Sequence, residues 1–179
     1  MFAPLSPERQ HRLHDIKLLI LDVDGVLTSA QLFIGSNGEI IKAFNTLDGH
    51  GIKMLHSTGV QTAIITARND PAVAHRAAQL GITHYLHGVE KKQQAFAQLC
   101  AQIKIPPRHC AFMGDDVIDL PVMTRCGFPI AVANAHDFVK EHALYITQKS
   151  GGFGAVREVT DLIMYAQNTL NAALAEYTK

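Results

Sequence analysis

The order of apolar and polar positions lays out the elements of the chain. Leu18 to Leu21 are all apolar, the pattern of a strand buried on both faces, and the run stops at Asp22-Val23-Asp24-Gly25. A strand is expected over residues 17–23. Ahead of it, Ser6-Pro7-Glu8 reads as an N-cap followed by proline at the first helical position, opening a helix to about residue 15. Behind it, two short apolar runs flank Ser36-Asn37-Gly38, the signal of a β-hairpin within residues 30–44. Two short strands are not stable alone, so the core or another subunit must cover them.

From Asp48 the pattern alternates. Helices are expected at 49–57, 71–80, 90–103, 118–125, 137–143 and 155–177, and strands at 60–66, 84–86, 109–114, 128–132 and 144–147. Strands alternating with helices mean parallel βαβ units, and the apolar strands suit a sheet covered on both faces. The expected fold is α/β: a three-layer, doubly wound, Rossmann-like parallel sheet with a protruding hairpin. No internal repeat or low-complexity linker divides residues 1–179, which read as one domain.

Composition narrows the partners. Lys plus Arg and Asp plus Glu are 16 each, so no basic field argues for nucleic acid and no acidic excess argues for disorder. No apolar run approaches the roughly 20 residues of a membrane span, and "MFAPLSPERQHRLHDI" lacks the apolar core of a signal peptide, so no membrane contact and a cytoplasmic location are expected. Cys100, Cys110 and Cys126 are widely spaced and odd in number, which suits reduced thiols. The ten histidines are scattered and complete no ligand set.

In a doubly wound sheet, ligands bind beyond the carboxyl ends of the strands. Those ends carry Asp22 and Asp24, then Thr66-Ala67-Arg68, then Gly114-Asp115-Asp116 with Asp119 one helical turn on. Carboxylates at the end of a buried strand are costly without partners, so positive charge is expected among them. The set is suited to phosphoryl transfer. Mg2+ takes oxygen ligands, which Asp22, Asp115 and a backbone carbonyl near Asp24 could supply. An aspartate can act as a covalent nucleophile, and Asp24, two residues after Asp22, could protonate the leaving oxygen and then activate water. Thr66 would donate to a phosphate oxygen and a lysine would neutralise remaining charge. Arg68 is a strand-end cation suited to a carboxylate or phosphate, or else a surface pair. Singly, Asp-x-Asp after a strand is a turn device and Gly-Asp-Asp a helix cap; together, in named roles, they point to chemistry.

In this order, "DVDGV", "IIT", a lysine heading a helix and "GDDVID" resemble the four motifs of the haloacid dehalogenase (HAD) superfamily of aspartate-nucleophile phosphatases, over residues 17 to about 160. The resemblance implies Asp22 as nucleophile and metal ligand, Asp24 as general acid/base and carbonyl ligand, Thr66 as phosphate-binding hydroxyl and Asp115 as second metal carboxylate. Asp116 and Asp119 resemble the supporting acids. Lys91 and Lys92 are adjacent candidates for the cation; Lys92, 22 residues before Gly114, has the spacing similar to close relatives, with Lys91 the alternative.

Only 42 positions separate Asp24 from Thr66 and 26 separate Thr66 from Lys92, which leaves no room for a cap domain. A site for a small molecule still needs screening from water, so a neighbouring subunit or a macromolecular substrate must roof it, and the apolar hairpin is the natural oligomer surface. "DGVLT", "NGEIIKAFNTLDGHGIKML" and "GGFGAVREV" further resemble the capless HAD subfamily of 3-deoxy-D-manno-octulosonate 8-phosphate (KDO 8-phosphate) phosphatases. This resemblance implies a small phosphorylated sugar acid as substrate, a step toward lipopolysaccharide, and a homotetramer whose hairpins pack together. It also implies a mobile C-terminal segment at about 150–179, hinged at Gly151, Gly152 and Gly154, with Arg157 touching an anionic substrate or making a surface pair. "TAR" stands at residues 66–68 where "TGR" is more usual. Other readings are a nonulosonate 9-phosphate (sialic acid or KDN) phosphatase, a phospho-accepting signalling domain and a non-catalytic oligomerisation module.

Overall fold

The structure, a computed structural model, describes residues 5–179. Its elements follow the alternation: α1 (Pro7–His14), β1 (Leu18–Leu21), β2 (Phe33–Ile34), β3 (Ile40–Ile41), α2 (Thr46–Ser57), β4 (Gln61–Ile65), α3 (Pro71–Leu80), β5 (His84–Leu86), α4 (Lys92–Ile103), β6 (Cys110–Gly114), α5 (Leu120–Met123), β7 (Phe128–Ala131), α6 (Asp137–Lys140), β8 (Tyr145–Ile146), α7 (Ala155–Ala166) and α8 (Leu170–Ala175).

Six strands form one sheet in the order β5-β4-β1-β6-β7-β8, every pairing parallel. The chain runs outward from β1 through β4 to β5, then crosses back to β6 and onward, so right-handed crossovers place α2 and α3 on one face and α4 and α5 on the other. The switch in direction falls at β1, and the site is expected at its carboxyl end. Leu18, Leu19, Ile20 and Leu21 are fully buried, as a central strand covered on both faces requires. The hairpin β2-β3 stands apart, with Phe33, Ile34, Ile40 and Ile41 exposed. Cys100 and Cys110 are buried and Cys126 is half-buried, all unbridged.

Several expectations need correction. The helix at 49–57 begins earlier, at Thr46, because the Asn45 side chain accepts from the Leu47 N–H and caps it. The helix at 118–125 is a 3-10 turn, Val117–Asp119, followed by the short α5. The final helix is interrupted: Asn168 takes a left-handed φ of 59°, and Gln167 turns its side-chain amide onto the Ile16 carbonyl at 2.8 Å.

The glycine segment packs against the turn after β1. A Cβ on Gly151 would overlap the Gly25 carbonyl, and Gly152 donates to the Val26 carbonyl at 3.0 Å. Beyond it, α7 is a core helix: Ala155, Val156, Val159, Leu162 and Ile163 are fully buried. Asp48 of α2, 1% exposed, accepts the Arg157 N–H at 2.8 Å and so caps the start of α7, whose own N-cap, Gly154, has no side chain to do it.

Candidate active site

Strand ends position the site. β1 delivers Asp22, after which the chain turns tightly through Val23–Leu27 with Gly25 at φ 100°. Only glycine fits there: its φ is positive, and a Cβ would overlap the Asp115 carboxylate. β4 delivers Thr66 and Arg68, β6 delivers Asp115 and Asp116, and the first turn of α4 delivers Lys92. Asp22, Asp24, Thr66, Arg68, Lys92 and Asp115 line one cleft of about 250 Å³, with Asp116 at its edge.

At the floor, Lys92 Nζ lies 2.8 Å from Asp22 Oδ1 and 2.8 Å from Asp119 Oδ1. All three residues are buried. Burial opposes the Lys92 ammonium, but the two carboxylates outweigh it and raise its pKa. Asp119 spends its other oxygen on the Asp115 N–H at 3.0 Å, so it positions both the lysine and the β6 end. Lys91 is exposed at the N-cap of α4.

Asp22 and Asp115 are strained electrostatically. Desolvation, with repulsion from Asp119, pushes Asp22 up to about 6; desolvation, with repulsion from Asp22 and Asp119, pushes Asp115 up to about 7. Asp115 Oδ1 is buried without a hydrogen-bond partner. Oxygens of Asp22, Asp115 and Asp119 lie within 4.8 Å of one another, the one such group of three among the described residues, and no histidine joins it. An orphaned carboxylate oxygen beside a second carboxylate, all hard oxygen donors, fits a divalent cation such as Mg2+.

The Asp24 carboxylate is not part of the Asp22, Asp115 and Asp119 group. Its carboxylate is ion-paired with Lys42, which follows β3, and its other oxygen lies 3.5 Å from Arg68 Nε. Thr66 is buried; its hydroxyl oxygen accepts the Arg68 N–H at 3.4 Å. Asp116 is exposed and caps the turn after β6 through the Val117 N–H at 2.7 Å. Arg157 lies outside the cleft, its Nε 2.8 Å from both oxygens of Asp161. Sequence reasoning did not single out Lys42, although it lies within the quoted stretch "NGEIIKAFNTLDGHGIKML": its number is 18 away from that of Asp24, and its local signal is a cation directly after the apolar return strand of the hairpin.

A parallel sheet whose first strand ends in Asp-x-Asp, facing a buried lysine and a Gly-Asp-Asp turn, defines a class. The haloacid dehalogenase-like hydrolase family matches over residues 86–159, and the chain belongs to that family. Within it, the chain is a phosphoric monoester hydrolase, similar to 3-deoxy-D-manno-octulosonate 8-phosphate phosphatase of Salmonella typhimurium at 45% identity over 172 residues, 96% of this chain and 92% of that one. Among solved structures it is similar to a probable YrbI family phosphatase from Pseudomonas syringae (47% identity, TM-score 0.95, covering 97% of this chain and 99% of that one). It is also similar to the 3-deoxy-D-manno-octulosonate 8-phosphate phosphatase of Moraxella catarrhalis in complex with magnesium, phosphate and KDO (40% identity, TM-score 0.93, 95% and 98%).

Proposed function

We propose that this enzyme hydrolyses KDO 8-phosphate to KDO and inorganic phosphate, in a Mg2+-dependent reaction through an aspartyl-phosphate on Asp22. The observation that carries the reading is the cleft floor itself: a buried Asp22 held 2.8 Å from Lys92, beside an Asp115 with an unpartnered oxygen. Asp22, Asp115 and the Asp24 backbone carbonyl would hold Mg2+, whose chemistry is to neutralise phosphoryl charge and keep the carboxylates ionised.

Asp22 attacks phosphorus and the bond from phosphorus to the sugar oxygen breaks, while Asp24 gives its proton to the departing oxygen. Water then attacks phosphorus, Asp24 takes the proton from that water, and the bond to Asp22 breaks to release phosphate. Lys92 and Thr66 face the phosphoryl oxygens throughout and offset the charge that develops there. Arg68, half exposed at the rim, meets the sugar acid. The names of the related proteins, and the KDO bound in one of them, support choosing the eight-carbon substrate here rather than a nonulosonate 9-phosphate.

The exposed apolar hairpin supports a homo-oligomer, a tetramer in this reading, in which a neighbour closes the cleft. In that assembly Arg157, paired with Asp161 on its own helix, would meet substrate in its own or in a neighbouring subunit. Among the described residues no helix is long and apolar enough to cross a membrane, and the proposed location is the cytoplasm, on the path toward lipopolysaccharide. The test is Asp22→Asn: phosphate release from KDO 8-phosphate is lost, while the melting temperature stays within a few degrees of wild type. Residual turnover above about one percent would remove Asp22 as nucleophile.

A further inference from the structure

The hairpin supplies a partner to Asp24, one of the cleft-lining residues, from outside the strand ends. Lys42 follows β3 and its side chain is 1% exposed, although the strand before it is open to solvent. Its ammonium pairs with Asp24 Oδ1 and lies 3.8 Å from Asp70 Oδ2, the carboxylate of the α3 N-cap. Asp24 Oδ2 faces Arg68 on the other side. A lysine buried to this degree needs its counter-charges, and the two it has lie just past the end of β1 and at the start of α3. The ion pair therefore fixes the direction of the Asp24 carboxylate and ties the hairpin to it.

We propose that Lys42 is a positioning residue for the reaction: it holds the Asp24 carboxylate in line with the departing sugar oxygen. This rests on the acid/base role assigned to Asp24 above. A carboxylate on a short side chain has two free torsions, and an acid misplaced by about 1 Å can lose on the order of 10²-fold in rate. Lys42 acts through Asp24 and touches neither the phosphoryl group nor Asp22.

The reaction offers a readout that a purely structural role would not move. An alkyl leaving oxygen needs a proton as the bond to phosphorus breaks, whereas p-nitrophenolate leaves without one. Lys42→Met is measured in single turnover with Mg2+, following release of the leaving group from KDO 8-phosphate and from p-nitrophenyl phosphate. The expected result is a loss of about 10²-fold in the rate with the sugar phosphate, with KM little changed, against about threefold or less with the aryl phosphate. Lys42→Arg, which keeps the charge, recovers most of the lost rate. Lys42→Gln is carried in parallel, so that the comparison survives if the methionine variant does not fold.

Equal losses on both substrates, or no loss on either, would overturn the positioning role while leaving the phosphatase reading intact. Absence of KDO 8-phosphate turnover in the wild-type enzyme would instead bring down that reading, and this inference with it.

Discussion

Gly151 is seated on Gly25 so closely that any side chain on the former would meet the carbonyl of the latter. Gly25 is the residue that lets the chain turn between Asp24 and Val26 with Asp115 against it. The start of the C-terminal segment thus packs on the back of the turn that follows Asp22.

Gly151→Ala tests that contact. The backbone on one side or the other must move, an overpacking cost of about 1–3 kcal/mol. For a chain of this size that lowers the melting temperature by about 2–4 °C per kcal/mol, and the displaced turn reduces turnover by more than the stability loss explains. Differential scanning fluorimetry and phosphate release together check it; an unchanged melting temperature with full activity would contradict the packing.

The two neighbouring lysines separate cleanly by burial. Lys92→Met leaves Asp22 and Asp119 without their shared ammonium, an unpaired buried charge that costs about 3–5 kcal/mol, and removes the cation proposed to face the phosphoryl group, so turnover is expected to fall below detection. Lys91→Met alters an exposed cap and changes stability within about 0.5 kcal/mol. Urea denaturation and phosphate release on both variants give the comparison. A large loss in the Lys91 variant would reverse the assignment.

Asp48 carries a pH dependence of definite sign. Burial raises its pKa in the folded state, against which the amides at the start of α7 pull only in part. As pH rises through the ordinary value of 3.8, the unfolded chain gives up the proton while the folded chain keeps it, so stability falls until the folded pKa is passed. Asparagine has no such dependence. Asp48→Asn therefore gains on wild type as pH rises from about 4 to 7, measured by urea midpoints across that range. A wild-type protein that instead gains on the variant with rising pH would contradict the burial argument.

The sheet and the strand-end acids were legible because both rest on local patterns. Apolar runs set the strands, and the parallel topology brings the ends of β1, β4 and β6 together whatever the loops do. What the sequence hid depends on contacts between distant segments. Lys42 finds Asp24 only once the hairpin folds back, and the choice between Lys91 and Lys92 depends on the face of α4 that turns to β1. The last helix breaks because Gln167 reaches carbonyls at the end of α1, some 150 residues away. Glycines at 151 and 152 suggest flexibility when read alone; in the fold they are where two backbones meet.

The most direct measurement is phosphate release from KDO 8-phosphate, set beside a nine-carbon nonulosonate 9-phosphate and simple sugar phosphates, each with Mg2+ and with chelator. The account predicts strong, Mg2+-dependent turnover of the eight-carbon substrate and little of the others. Turnover that persists in chelator, or that spreads evenly across the panel, would contradict it.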